Sequence, residues 1–147
     1  MPNLSMTIRL AATTDIGKVW GLVQDFAPSI QPEREAFDLT FRSLVEASGT
    51  LVLVAEQSGG SVIGYLLAHC RATFVANGPV AWVEEVMVAE HARRQGVGQA
   101  LMNEVESWAH SQGAAYVSLA SRRAGDFYLA LAYEDAATFF KKPLNSR

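Results

Sequence analysis

Residues 90–101 read EHARRQGVGQAL and set two arginines and two glycines where a strand-like run, VAWVEEVMVA, passes into a helical one. Glycine in a helix's first turn costs stability relative to alanine. Three uses offset that cost: a tight turn, a close packing contact, or a bound anion. The third suits a helix N-terminus, where the first amides lack intrahelical partners and the macrodipole favours negative charge. Three phosphate-binding patterns compete for these residues. A P-loop requires G-x-x-x-x-G-K-[ST], and no such lysine is present. A dinucleotide turn, G-x-G-x-x-G, matches Gly96 and Gly98 but finds Leu101 at the third glycine. The preceding strand also ends about seven residues too early for it, and no acidic residue closes the next strand, AAYVSLAS. What remains is Arg93-x-x-Gly96-x-Gly98 between a strand and a helix. Its exposed amides, those of Arg94, Gln95, Gly96, Val97, Gly98 and Gln99, form a natural anion cradle. Arg93 and Arg94 add positive charge to a chain whose formal net charge is −3.

The elements that must position this motif follow from periodicity. MTIRLA alternates as a short strand, and Thr14 or Asp15 is placed to cap a helix through IGKVWGLVQDF. APSIQP breaks that helix with two prolines, and EREAFDLTFRSLVEA reads as a second. LVLVAE, the turn QSGGS and VIGYLLAHCRA predict a hairpin, and VAWVEEVMVA a further strand. A helix through GQALMNEVESWAHSQ follows, closed by Gly113. Its stripe of Val97, Leu101, Val105 and Trp108 reads as a core-facing side. AAYVSLAS predicts a strand, RAGDFYLALAY a short helix and ATFFKKPL a last strand. The order β-α-α-β-β-β-α-β-α-β describes a mixed sheet with helices on its faces.

Composition narrows the functional classes. With 147 residues, half of them hydrophobic and 18% charged, the chain reads as one globular domain, 1–147. A negative net charge argues against a general nucleic-acid binder. A single cysteine, Cys70, excludes an intrachain disulfide framework and suits a reducing compartment. MPNLSMTIRL lacks signal-peptide layout, and no apolar run reaches membrane-spanning length, so a cytoplasmic, soluble protein without membrane partners is expected.

The motif is identified as the acyl-CoA signature [RQ]-x-x-G-x-[GA] of the GNAT superfamily of N-acetyltransferases, and the resemblance covers nearly the whole chain. VEEVMV resembles the strand that family members place before the motif. SRRAGDFYLALAY resembles N-x-x-A-x-x-F-Y-x-x-x-G-[FY], with Ala124, Phe127, Tyr128 and Tyr133 matching, and FFKKPL is similar to a final F-x-K-x-L strand. Ser121 stands where asparagine is common and Ala132 where glycine is usual. The resemblance implies an α/β (α+β mixed) fold with a single mixed, mostly antiparallel sheet flanked by helices. It implies acetyl-CoA as co-substrate, no metal, and direct acetyl transfer in a ternary complex to a primary amine on a small molecule or a protein. The second hypothesis is a module of this fold that binds acyl-CoA without turnover; the third is an interaction domain with no ligand. A homodimer is compatible with the family.

Acetyl transfer asks three things of a protein. A lysine-like amine, with a reference pKa of about 10.4, must lose a proton. The developing oxyanion needs a donor, and the leaving thiolate needs a proton. Tyr128 is the expected acid, against the alternative that it only packs its helix, as Phe127 does. Glu84 and Glu85 interrupt an apolar run and are the candidate bases, directly or through water. Adjacent strand residues face opposite ways, so at most one enters a cavity; a solvated carboxylate and a structural pairing are the alternative. By resemblance, a splayed strand frees backbone amides of Val86, Met87 and Val88, with Met87 or Val88 polarising the thioester, and Ser121 offers one hydrogen bond to the pantetheine arm. His69 reads as a core histidine, His91 as a loop residue and His110 as a cation near a helix C-terminus. No H-E-x-x-H or G-x-S-x-G pattern occurs, so neither a metal site nor an acyl-enzyme is expected. The acceptor is expected over residues 15–47 and the FVANGP loop. Trp20, Phe26, Phe37, Phe41, Phe74 and Trp82 are candidate walls there, with Glu33, Glu35 and Asp38 as candidate anions.

Overall fold

The computed structural model describes residues 5–26 and 30–144. Five strands form one sheet in the order β1 (Met6–Leu10), β2 (Thr50–Gln57), β3 (Val62–Arg71), β4 (Val80–Val88) and β5 (Val117–Leu119). The first three pairings are antiparallel and β4–β5 is parallel. The helices are α1 (Ile16–Gln24), α2 (Arg34–Glu46), α3 (Val97–Ser111) and α4 (Gly125–Ala130). Among the described residues, no helix is long and apolar enough to cross a membrane.

Strand alternation sends side chains to two separate cores. On one face Leu51, Leu53, Ile63 and Leu66 pack against α3, whose Val97, Leu101, Met102 and Val105 are at most 1% exposed. On the other, Val52, Val54, Tyr65 and Met87 pack against Val19 and Leu22 of α1 and Phe41 of α2. Turns complete the frame. The C-terminus of α3 closes through Gly113 in the left-handed region (φ 76°), with Gly113 donating to His110 O at 3.0 Å and Ala114 to Ala109 O at 2.9 Å. Ahead of α1, the buried Asp15 accepts two 2.8 Å bonds from Arg9 of β1 and another from the Ala12 amide.

The tail departs from the expected pattern. ATFFKKPL forms no strand, and Phe139, Phe140 and Leu144 are exposed. β5 shortens from the expected AAYVSLAS to three residues. A strand needs a ladder partner as well as a pattern. A three-residue β5 offers little edge to the tail, so its alternation goes unused. The expected helix RAGDFYLALAY keeps only Gly125–Ala130, and part of the breaker APSIQP lies outside the described residues.

Candidate active site

The start of α3 is built from backbone conformation. Arg94 (φ 62°) and Gly96 (φ 85°) are both left-handed, folding the chain from a 3-10 turn at Glu90–Ala92 into α3. Gly96 is the N-cap and supplies no side-chain cap. The Ala100 amide donates to Gly96 O at 3.0 Å, so the amides of Val97, Gly98 and Gln99 precede the intrahelical ladder. Two side chains of the motif have structural partners: Arg93 Nε donates to Val88 O at 3.1 Å, and Gln95 Nε2 to His91 O at 3.2 Å. Those bonds brace the loop on β4 and on the preceding turn. Arg94 is exposed and has no such partner among the described residues.

The two motif glycines serve different needs. At Gly96 the positive φ is the requirement, since a Cβ there meets nothing within 4 Å. At Gly98 a Cβ would lie 3.3 Å from Phe127 Cζ, so its missing side chain makes room for the α4 ring. A third glycine escaped the sequence reading. A Cβ on Gly64 would stand 3.0 Å from Met87 O and 3.1 Å from Val97 Cγ1, so Gly64 lets the first turn of α3 close onto the sheet.

β4 carries the rest of the site. β5 pairs only with Ala81–Val83, which leaves the outer edge of β4 without a strand partner from Glu84 onward among the described residues. The Ala89 amide donates to Ile63 O at 2.8 Å, toward β3. Alternation in an antiparallel ladder then turns the Val88 and Val86 amides to the free edge and the Met87 amide toward β3. Met87 places its side chain in the α1–α2 core.

The glutamates are separated by a bulge. Leu67 pairs with Glu85 and Ala68 with Val83, so Glu84 is the extra residue and is exposed. Glu85 instead lines a cavity of about 280 Å³ between α1, α2 and the sheet. Its Oε1 accepts a 2.7 Å hydrogen bond from the hydroxyl of Tyr65, which is 3% exposed. Burial first, and then the charge and hydrogen bond of Glu85, push the Tyr65 hydroxyl well above its ordinary value and keep it a donor. Tyr65 was not anticipated; the signal was a lone hydroxyl in the apolar run VIGYLL.

Tyr128 lies on the opposite face, in the cluster that includes Val86 and Val88. It packs edge-on against Phe127 at 5.0 Å and Tyr133 at 5.9 Å. Burial raises its hydroxyl above the ordinary value, and that hydroxyl has no hydrogen-bond partner among the described residues. Ser121 Oγ accepts from the Ala124 amide at 3.1 Å, at the entrance to α4. Its hydroxyl proton is left to donate.

Several expected acceptor residues lie elsewhere. Phe74 is fully exposed, and Asp38 is paired with Arg34 at 2.7 Å. Trp20 packs on Phe37 at 5.3 Å beneath the Arg34 guanidinium. Of the expected walls and anions, Phe37, Phe41 and Glu33 line the cavity. His69 Nδ1 lies 3.5 Å from Thr50 Oγ1 on the sheet, and His91 and His110 are exposed.

A mixed sheet opened beside an uncapped helix start defines the class of protein, and comparison with known families gives it a name. The Acetyltransferase (GNAT) family model matches residues 18–133, so the chain belongs to the GNAT acetyltransferase family. Aminoglycoside N(6')-acetyltransferase type 1 of Klebsiella aerogenes is 34% identical over 101 residues, covering 63% of this chain and 66% of that protein. The uncharacterized N-acetyltransferase YhfO of Bacillus subtilis (strain 168) is 26% identical over 149 residues, 95% of this chain and 97% of that one. The structure of aminoglycoside N-acetyltransferase AAC(6')-Iy in complex with CoA superposes with a TM-score of 0.81 at 22% identity, over 96% of this chain and 97% of that one.

Proposed function

We propose that residues 1–147 form one domain that transfers an acetyl group from acetyl-CoA directly to a primary amine within a ternary complex. The observation that carries this reading is the free outer edge of β4. It runs toward the uncapped start of α3, with Glu85 on one face of the sheet and Tyr128 on the other. The donor set fits the ligand chemically. Neutral amides along an open strand edge suit the amide and carbonyl groups of a pantetheine arm, and amides at a helix start suit a diphosphate. The relatives named as acetyltransferases, one of them seen with CoA, support the same assignment.

Bound acetyl-CoA supplies an activated thioester. The chain supplies the remaining functions. Val97, Gly98 and Gln99 offer amides to the diphosphate, with Arg94 as the exposed cation and Arg93 and Gln95 bracing the loop. Val86 and Val88 offer outward amides, and the Val88 donor would polarise the thioester carbonyl. Ser121 can donate once to the pantetheine arm. Glu85, held by Tyr65, takes a proton from the acceptor ammonium, directly or through a water. Glu84, at the exposed bulge, is the less suited of the pair. Tyr128 holds its proton across the neutral range and gives it to the departing thiolate. A cavity of small-molecule size favours a small amine over a protein amine as acceptor.

The test is acetyl-CoA binding by calorimetry followed by thiol release with a panel of amines. Binding together with amine-dependent release supports the reading. No binding heat at saturating acetyl-CoA overturns it, and binding without release from any amine reduces the protein to an acyl-CoA-binding module.

A further inference from the structure

The cavity that Glu85 lines has an uneven distribution of polarity. Its inner wall is the sheet, where Val52 and Leu67 flank Tyr65. The helices close it with Val19 from α1 and with Phe37, Phe41 and Leu44 from α2. Glu33 and Thr40 are exposed residues of α2 and its entry, so they stand at the rim. Inside, among the described residues, the polar groups are the Tyr65 hydroxyl and the Glu85 carboxylate, and each is already engaged with the other at 2.7 Å. That bond occupies Oε1 and leaves Oε2 as the inner acceptor with no protein donor among the described residues. The volume of about 280 Å³, set against about 30 Å³ per water in the liquid, admits a body of on the order of ten heavy atoms.

We infer that the acceptor is a primary amine on a compact apolar body, an alkylamine or aralkylamine, with its ammonium at Glu85 and its hydrocarbon among Phe37, Phe41 and Leu44. The inference rests on the acetyl-transfer reading and names the occupant of its acceptor cavity. Its physical basis is the count of partners. One ammonium finds one carboxylate, and apolar carbon finds apolar walls. A polyhydroxylated amino sugar of similar size would bring several hydroxyls into a space whose only inner hydroxyl among the described residues is already spent on Glu85. Each hydroxyl buried without a partner lowers affinity by roughly tenfold or more. Aromatic walls also suit an aromatic body, through edge contacts of the kind already present between Phe37 and Phe41 at 5.5 Å.

The experiment compares 2-phenylethylamine and n-hexylamine with glucosamine and kanamycin. Initial rates of thiol release are measured at saturating acetyl-CoA, alongside calorimetry of each amine onto the CoA-bound protein. The expected result is a kcat/KM for the apolar amines at least 100-fold above that for either amino sugar. Phe37→Ala is expected to lower kcat/KM for 2-phenylethylamine about tenfold with acetyl-CoA affinity unchanged. If that variant melts early, Val23→Thr, at a second α1 residue lining the cavity, keeps the wall's shape, adds a hydroxyl, and is expected to lower it a few-fold. Amino sugars turned over as well as or better than the apolar amines overturn this inference and leave acetyl transfer standing. Acetyl-CoA binding with no apolar amine bound or acetylated overturns it too. Absence of acetyl-CoA binding overturns both readings together.

Discussion

At the scale of single residues, the hydroxyls of Tyr65 and Tyr128 are both raised by burial but have different neighbours. Tyr65 is spent on Glu85, while the Tyr128 hydroxyl has no protein partner among the described residues. The proposed roles, positioning for Tyr65 and acid for Tyr128, are separable by kinetics. Tyr65→Phe keeps the ring in its core and removes only the donor. It is expected to lower kcat about tenfold while leaving the melting temperature and the KM for acetyl-CoA nearly unchanged, as initial-rate measurements will show. Tyr128→Phe is expected to cut turnover by about 10²-fold with acetyl-CoA affinity preserved, the size typical of losing a general acid. Undiminished turnover in that variant removes Tyr128 from the chemistry. Glu84 and Glu85 were indistinguishable in sequence because both occupy one strand; a single bulged residue decides which of them faces the cavity.

At the scale of elements, the start of α3 and the end of α4 both hold non-glycine residues in the left-handed region. Ala132, at the glycine position of the pattern N-x-x-A-x-x-F-Y-x-x-x-G-[FY] that this segment resembles, has φ 71°. Its Cβ strains that turn, so Ala132→Gly is expected to stabilise the fold by about 1 kcal/mol, readable as a rise of a few degrees in melting temperature with activity retained. Arg94 at φ 62° tells the opposite story. Arg94→Gly is expected to relieve strain of similar size yet weaken acetyl-CoA about tenfold, because the exposed guanidinium is the motif's uncommitted cation. Calorimetry and thermal melts on one sample check both halves. Equal affinity in that variant would make Arg94 a conformational accident. At Gly98, a side chain would also meet Phe127 at 3.3 Å.

At the scale of the whole molecule, β1 is tied to the helical layer by one charge cluster. Arg9 binds Asp15 and Glu56, and its hydrogen bonds, first among the causes, hold both carboxyls below their ordinary values. A depressed carboxyl contributes stability that is fully present above the unfolded value, about 3.9 for aspartate, and is lost as pH falls through the lower folded value. Unfolding free energy is therefore expected to drop as pH falls below about 4. Asp15→Asn is expected to flatten that limb and to cost about 1–3 kcal/mol at pH 7, a range that allows for the partial exposure of Arg9. Denaturant titrations at pH 3, 4 and 7 measure it. A variant with an unchanged acid limb would assign the loss to other carboxylates.

Much of the scaffold was legible in the order of residues. The α3 stripe, the Gly113 cap, the β2–β3 hairpin and the glycine turn before α3 are local, and local periodicity and turn chemistry report them directly. Tertiary structure decided what depends on neighbours distant in the chain. ATFFKKPL has a strand's alternation and lacks a ladder partner, so the pattern does not become a strand. A side chain at Gly98 would press on Phe127, many positions later, at 3.3 Å. The free amides of Val86 and Val88 exist because β5 stops pairing after Val83. Glu85 reaches the cavity, and Tyr65 reaches Glu85, only because β3 and β4 lie side by side with one bulge between them. Composition and short-range spacing determined which chemistry the chain could support. The facing of each group was set by pairing and packing, which no single stretch of sequence contains.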